Sequence, residues 1–426
     1  MTSLCHGTEN SVMAYLPRVA DGELGARLSS AGAVLIEGPK ACGKTETARR
    51  QAASEIRLDL DDAEREAAEV APDLVLNRPA PLLIDEWQMV PSLWNRVRRA
   101  VDDRQSPGQF ILTGSATPDD DVNRHSGAGR FSVMRMRPMC LAESGRSLAT
   151  VSLDALLDGA TQSAPDPGLT VPDLADALTV GGWPAWQGRP PAAVARGLRD
   201  CLTQISHVDV LAISGQRRDP AKIEALLRSL ARNTGTEAAI TTLAEDVAGQ
   251  RMDRDTASAY LAALERLMVV ENQPAWAPAM RSRAQLRSSP KRHLVDPSLA
   301  VAALRGSPAK LLADLKMMGT LFESLVVRDL RVLSQPLDGT VFHYRDNKGL
   351  EVDAIVSCDD GRWGAFEVKL GSSRVEAAAA NLLSLADKVD TATCGQPGVL
   401  AVVTGTGLAY RRRDGVHVVP IGTLGL

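Results

Sequence analysis

The chain has 426 residues, about three times the usual domain length of roughly 150, so two or three domains are expected and a single small module is excluded. Its formal charge is −4, with 44% hydrophobic and 23% charged residues, which excludes a disordered chain, a collagen and a polybasic nucleic-acid binder. Six cysteines (Cys5, Cys42, Cys140, Cys201, Cys358 and Cys394) stand far apart without a CxxC pair, so neither a zinc cage nor a disulfide scaffold is written here.

The first thirty residues lack a basic start followed by an apolar core, and no later apolar run approaches the ~20 residues of a membrane helix. The expectation is a soluble cytoplasmic protein with no membrane segment. Lysine is scarce, 9 of 426 residues, so a lysine inside a motif carries more weight than an arginine would.

In the first third, the strand-like runs AVLIEG, IRLDLDD, PLLIDE and QFILTGSA alternate with helical stretches, which predicts a parallel sheet wrapped by helices. The first of these strands runs into GPKACGKT (Gly38 to Thr45), which fits GxxxxGK[ST], and a good helix former, TETARRQAA, follows. That context predicts a phosphate loop for ATP and Mg²⁺. The backbone of Gly38, Pro39, Lys40, Ala41, Cys42 and Gly43 curls so that amides face phosphate oxygens, Lys44 reaches the outer phosphates and Thr45 ligates magnesium. Cys42 reads either as an oxidation-sensitive thiol or as a small tolerated side chain.

Forty residues on, PLLIDE places Asp85 and Glu86 at the end of an apolar strand. Asp85 is assigned to the magnesium shell and Glu86 to the base that polarises the attacking water. The strand QFILTGS ends in Thr113 and Ser115, candidates for sensing the γ-phosphate. Downstream, RHSGAGR offers Arg124 and Arg130, one of which would stabilise phosphoryl-transfer charge in cis or across a homo-oligomer contact.

With GPKACGKT, LLIDE, FILTGS, RHSGAGRF followed by RMRPMCLAESG, and later GGWP and GTLFESLVVRDL, the chain resembles the AAA+ group of P-loop ATPases. The resemblance is to a bacterial and archaeal branch that carries a carboxy-terminal domain of unknown function with a nuclease-like core, and it spans most of the chain.

TQSAPDPG (Thr161 to Gly168) predicts a linker, and mostly helical sequence follows to about Met268. From Ile223 to Trp276 the order is helix, short helix, longer helix and strand, which suits a winged helix-turn-helix. Its third helix buries Tyr260, Leu264 and Leu267 or Met268, while Arg251, Arg254 and Arg266 are offset by Asp253, Asp255 and Glu265. Base reading by that helix and a lid or protein-docking role both stand. The next stretch carries Arg281, Arg283, Arg287, Lys291 and Arg292 without an acid, and reads either as a track for a nucleic-acid backbone or as a solvated loop.

In LEVDAIVSCDDGRWGAFEVKLG two strands are joined by Asp359, Asp360 and Gly361, a three-residue hairpin loop. That loop sets Asp353 opposite Glu367, with Lys369 on the same face. Opposed carboxylates repel unless a cation lies between them, which points to a divalent ion. The arrangement resembles the D-x(n)-ExK site of the PD-(D/E)xK nuclease superfamily, which implies that Asp353 and Glu367 ligate Mg²⁺ and that Lys369 positions or deprotonates the attacking water. Glu323, in GTLFESLVV, matches the acid that a preceding helix contributes in that superfamily, and Glu351 lies on the strand face of Asp353 as a substitute ligand.

The fold expected is α/β in three parts: a P-loop, AAA+-like parallel-sheet domain over 1–162, a helical and winged-helix domain over 169–276, and a restriction-endonuclease-like α/β domain over 293–426. The function expected is Mg²⁺-dependent ATP hydrolysis that controls the other two parts, acting on DNA or RNA. The alternative is an ATP-dependent switch that binds a protein partner and whose nuclease-like fold does not cut.

Overall fold

The computed structural model describes residues 15–114, 126–210, 219–247, 252–277 and 289–426. Ser115, Arg124, Arg251, Arg281, Arg283 and Arg287 lie outside the described residues. Among the described residues no helix is long and apolar enough to cross a membrane.

Five parallel strands form the amino-terminal sheet in the order β2-β3-β4-β1-β5. They are β1 (Ala33–Glu37), β2 (Ser54–Arg57), β3 (Leu82–Asp85), β4 (Phe110–Gly114) and β5 (Phe131–Arg135). The three inner strands are continuous apolar runs because helices cover both faces of the sheet. Side-chain alternation divides them cleanly. Leu35, Ile84 and Leu112 enter a core with Trp87, Trp94 and Val97, whereas Val34, Ile36, Leu83 and Ile111 face the rest of the molecule.

That second face belongs to one apolar cluster running from Leu24 through the middle helices to Leu424, so the three segments share a core. The last strand, β15 (Leu424–Gly425), pairs with β6 (Val151–Ser152), which ties the carboxy terminus to the end of the first segment. The turn-rich stretch at Thr161 to Gly168 is likewise pinned: Ala164 and Ala409 exchange backbone hydrogen bonds of 3.0 and 2.9 Å.

In the middle segment the helices Pro220–Arg232, Ile240–Glu245 and Arg254–Arg266 pack on one another and lead into an antiparallel ribbon, β7 (Val270–Gln273) with β8 (Lys291–Leu294). Tyr260, Leu264, Leu267 and Met268 are buried, as the helical spacing predicts. The helices Pro297–Ala303 and Pro308–Ala313 pack back onto Val171–Val180, and the former also onto Pro191–Gln204.

The last segment is a six-stranded mixed sheet, ordered β13-β14-β12-β11-β10-β9, between the helices Leu315–Ser334 and Val375–Lys388. Its strands are β9 (Gly339–Arg345), β10 (Glu351–Cys358), β11 (Trp363–Lys369), β12 (Val399–Thr404), β13 (Tyr410–Arg411) and β14 (His417–Pro420). β11, β12 and β14 run parallel, and β10 is antiparallel to both its neighbours. The β10–β11 register pairs Ala354 with Phe366 and Ser357 with Trp363, and Gly361 closes the turn at φ +92°, as the three-residue loop predicts.

Candidate functional site

The loop after β1 folds tightly against the end of β5. A Cβ on Gly38 would overlap the Met136 carbonyl oxygen, and Gly43 takes φ +105°, so both positions call for glycine. Lys44, 6% exposed, donates to the carbonyls of Gly38 and Pro39, both at 2.9 Å. Its ammonium is held over the loop by neutral acceptors. Cys42 is fully buried with its Sγ toward the Met136 carbonyl, so it packs as a small side chain.

Because β3 lies one strand away from β1, its last residue reaches the start of the loop helix. The Thr45 hydroxyl donates to Asp85 Oδ1 at 2.8 Å, and the Thr113 hydroxyl, from the intervening β4, donates to the same oxygen. Thr113 is fully buried and holds this carboxylate in place. Glu86 follows at φ +53°, half-buried, and accepts a hydrogen bond from Gln88. The hydroxyl and the carboxylate fit a shared magnesium ion, and the glycine-lined loop under an ammonium fits phosphates.

Two expected contributors are placed elsewhere. Arg130 precedes β5 and its carbonyl accepts from Ala33, at the start of β1, whereas the loop leaves the other end of that strand. Five residues at about 3.3 Å each put it roughly 16 Å away, and its guanidinium pairs with Asp102 at 2.8 Å. Arg130 therefore does not serve the loop of its own chain. Lys40 bends away from the loop and pairs with Asp209 of the middle segment at 2.6 Å.

Arg18 had no motif to announce it. Its guanidinium donates to the carbonyls of Cys42 and Arg137, both at 2.8 Å, and lies 3.1 Å from Glu143. The only signal for it was its future partner, the acid in RMRPMCLAESG. Gln88 is a second such residue, recognisable only once the turn after β3 brings it to Glu86.

The carboxy-terminal cluster is assembled differently. Asp353 Oδ2 accepts from the Val368 amide at 2.7 Å and from Lys369 at 3.1 Å, and Lys369 lies 2.6 Å from Glu367. A register shift between Val352 and Ile355, where β10 pairs with β9, falls at Asp353 and re-aims that strand. Lys291, from β8 of the middle segment, is 3% exposed and bridges Glu323 at 3.0 Å and Glu351 at 2.9 Å. Burial and the charge of Asp353 push both Glu323 and Glu367 up to about 7.

These contacts bear on two expectations. Lys291 and Arg292, whose guanidinium donates to the Ala238 carbonyl at 2.6 Å, are not free to follow a nucleic-acid backbone. The cations beside Glu323, Asp353 and Glu367 are two lysine ammoniums, and among the described residues no group of three or more His, Cys, Asp and Glu is disposed to hold a metal ion. The acids do share a neighbourhood, but as ion pairs.

A buried joint links the segments beside the loop. Arg328 donates to Asp296 at 2.8 Å and to Asp329 at 2.6 and 2.9 Å; Asp296 accepts from the Gly182 amide and Asp329 from the Leu141 amide. GGWP thus sits between the first segment and the long helix Leu315–Ser334.

Comparison with known proteins matches three separate stretches of the chain. Residues 30–145 match a family described as an AAA domain, residues 171–310 a domain of unknown function, DUF8612, and residues 318–424 another, DUF4143. Two relatives, both described as uncharacterized proteins, one from Mycobacterium tuberculosis and one from Mycobacterium bovis, are 27% identical over 376 residues, covering 85% of this chain and 76% of theirs. Among solved structures, the Walker-type ATPase PABY2304 of Pyrococcus abyssi aligns at 13% identity and a TM-score of 0.39 over 67% of this chain and 94% of its own. With Lys44, Thr45 and Asp85 gathered at the end of a parallel sheet, the match at residues 30–145 makes the amino-terminal segment an AAA-like P-loop ATPase domain.

Proposed function

We propose that the chain hydrolyses ATP at the loop between Gly38 and Thr45 and passes its nucleotide state to the middle and carboxy-terminal segments. The observation that carries this reading is the bond between Thr45 and Asp85, which joins loop and strand with Glu86 one residue on. Mg²⁺, when bound, offsets phosphate charge and polarises the outer phosphate. Lys44 trades its two carbonyl partners for phosphate oxygens and is already desolvated for the exchange. Thr45 and Asp85 hold the ion, Thr113 keeps Asp85 oriented, and Glu86 aligns the attacking water and accepts its proton. Gln88 restrains the Glu86 carboxylate.

Transmission has two physical routes. Lys40 ties the loop to Asp209, and Arg18 ties it to the backbone of Arg137, whose side chain reaches Glu271 of the ribbon and Gln335 beside the long helix. The carboxy-terminal segment receives that state and binds a partner; its lysine-paired acids favour a switch over a cutting site.

The test is ATP turnover by wild type, Lys44→Ala and Glu86→Gln, with single- and double-stranded DNA and RNA present in the same tubes. Turnover lost in both variants, with every polymer uncut, is expected. Turnover that persists in Lys44→Ala contradicts the site, and divalent-dependent cutting abolished by Lys369→Ala contradicts the switch.

A further inference from the structure

Strand alternation gives the end of β5 two faces. Met136 lies against the phosphate loop, where its side chain comes near Gly43, while Arg135 and Arg137 line a separate cleft of about 250 Å³. Arg27, Glu271, Arg331 and Gln335 are among its other lining residues, so all three segments contribute to it.

Its charges do not balance. Arg27 is matched by Glu23 at 2.7 Å, but Glu271 alone faces three guanidiniums: Arg137 at 2.7 Å, Arg331 at 3.5 Å and Arg135 at 3.9 Å. Four guanidiniums thus meet two carboxylates, which leaves two positive charges in excess. Arg135 Nε is buried and has no hydrogen-bond partner. Burial, reinforced by the charges of Arg137 and Arg135, brings Arg331 down to about 10. Like charges gathered in a partly dry cleft repel unless an anion joins them.

We propose that this cleft is a second anion site, distinct from the phosphate loop, that takes a small ligand bearing one or two phosphate groups. The excess of two charges matches a phosphate monoester dianion, and guanidinium forks suit phosphate oxygens better than ammoniums do. The cleft has room for a phosphate or diphosphate group, and the larger share of its lining surface is polar. A ligand seated there would bridge Arg135 of the ATPase domain and Arg331 of the long helix.

Titration calorimetry of the full chain with inorganic pyrophosphate tests this, using wild type, Lys44→Ala, Arg135→Gln and the double variant. Lys44→Ala is expected to keep one pyrophosphate site, and adding Arg135→Gln to weaken that site about tenfold or more. Arg135→Lys, which keeps the charge and loses the fork, should give a smaller loss. Arg135 is 38% exposed, its Nε has no hydrogen-bond partner and its contact to Glu271 is a long 3.9 Å, so the unliganded unfolding temperature of Arg135→Gln should stay close to wild type. The proposal is overturned if Lys44→Ala alone abolishes pyrophosphate binding, if Arg135→Gln binds unchanged in the Lys44→Ala background, or if only a single-stranded DNA oligonucleotide binds in place of pyrophosphate.

Discussion

The phosphate loop and the carboxy-terminal cluster both gather acids and lysines, yet they spend their charge in opposite ways. At the loop, Lys44 leans on neutral carbonyls and Asp85 on neutral hydroxyls, so each keeps its full charge for a ligand. In the cluster, Lys291 and Lys369 are already engaged by Glu323, Glu351, Asp353 and Glu367, two ammoniums among four carboxylates. A binding site for Mg·ATP needs the first arrangement, because interactions made internally must be broken before a ligand gains anything. Similar residue types therefore leave their charge uncommitted in one place and tied up in ion pairs in the other.

The contrast is sharpened first at the loop. Lys44→Ala and Glu86→Gln should each lower ATP turnover roughly 100-fold or more while leaving the unfolding temperature nearly unchanged. The mirror-image change, Lys291→Met, should leave chemistry at the loop intact but strand two acids beside a buried apolar side chain, costing about 3 kcal/mol in denaturant unfolding at pH 8. That loss should shrink at pH 5, where Glu323 takes up a proton.

The same logic fixes the sign of a pH effect. Glu323 and Glu367 are raised from 4.5 to about 7, so their contribution to stability is fully present below 4.5 and is lost as pH rises through about 7. The groups facing them are Asp353, Lys291 and Lys369. Glu367→Gln should flatten the stability profile between pH 5 and 8 by about 2 kcal/mol, read from urea unfolding across that range. A profile unchanged by the substitution would place the titration elsewhere.

Thr113→Val tests whether the hydroxyl orients Asp85: it should lower kcat about tenfold and weaken magnesium dependence, with little change in nucleotide affinity. The smallest effect belongs to Lys40→Ala. That pair is 61% exposed on the lysine side, so its loss should cost less than about 1 kcal/mol. Its readout is the difference in protease sensitivity beyond Gly168 between ATP- and ADP-loaded protein, which should narrow.

How much of this was legible follows from how far each contact reaches along the chain. Gly38 to Thr45 form a local motif whose spacing dictates a loop, and Asp85 and Glu86 end a strand that composition alone delimits. The β10–β11 register was legible too, because a three-residue turn leaves one pairing. The turn thereby puts Asp353, Glu367 and Lys369 on one face. Lys291 was not legible, since its partners lie 32 and 60 residues away across a segment boundary and its own neighbours suggested an exposed loop. The distance of Arg130 from the loop of its own chain was not legible, because sequence does not reveal which end of a neighbouring strand lies beside the phosphate loop. Arg18 and Asp209 belong to the same class: each acquires a role only from a tertiary contact.

The most direct test of this contrast is Mn²⁺ binding to the full chain, followed by electron paramagnetic resonance with and without a non-hydrolysable ATP analogue. One Mn²⁺ per chain, bound only with the nucleotide and lost in Thr45→Ala, is the result the charge arrangement predicts. A Mn²⁺ bound without nucleotide and removed by Asp353→Asn would contradict it, and would make the lysine-paired acids a metal centre after all.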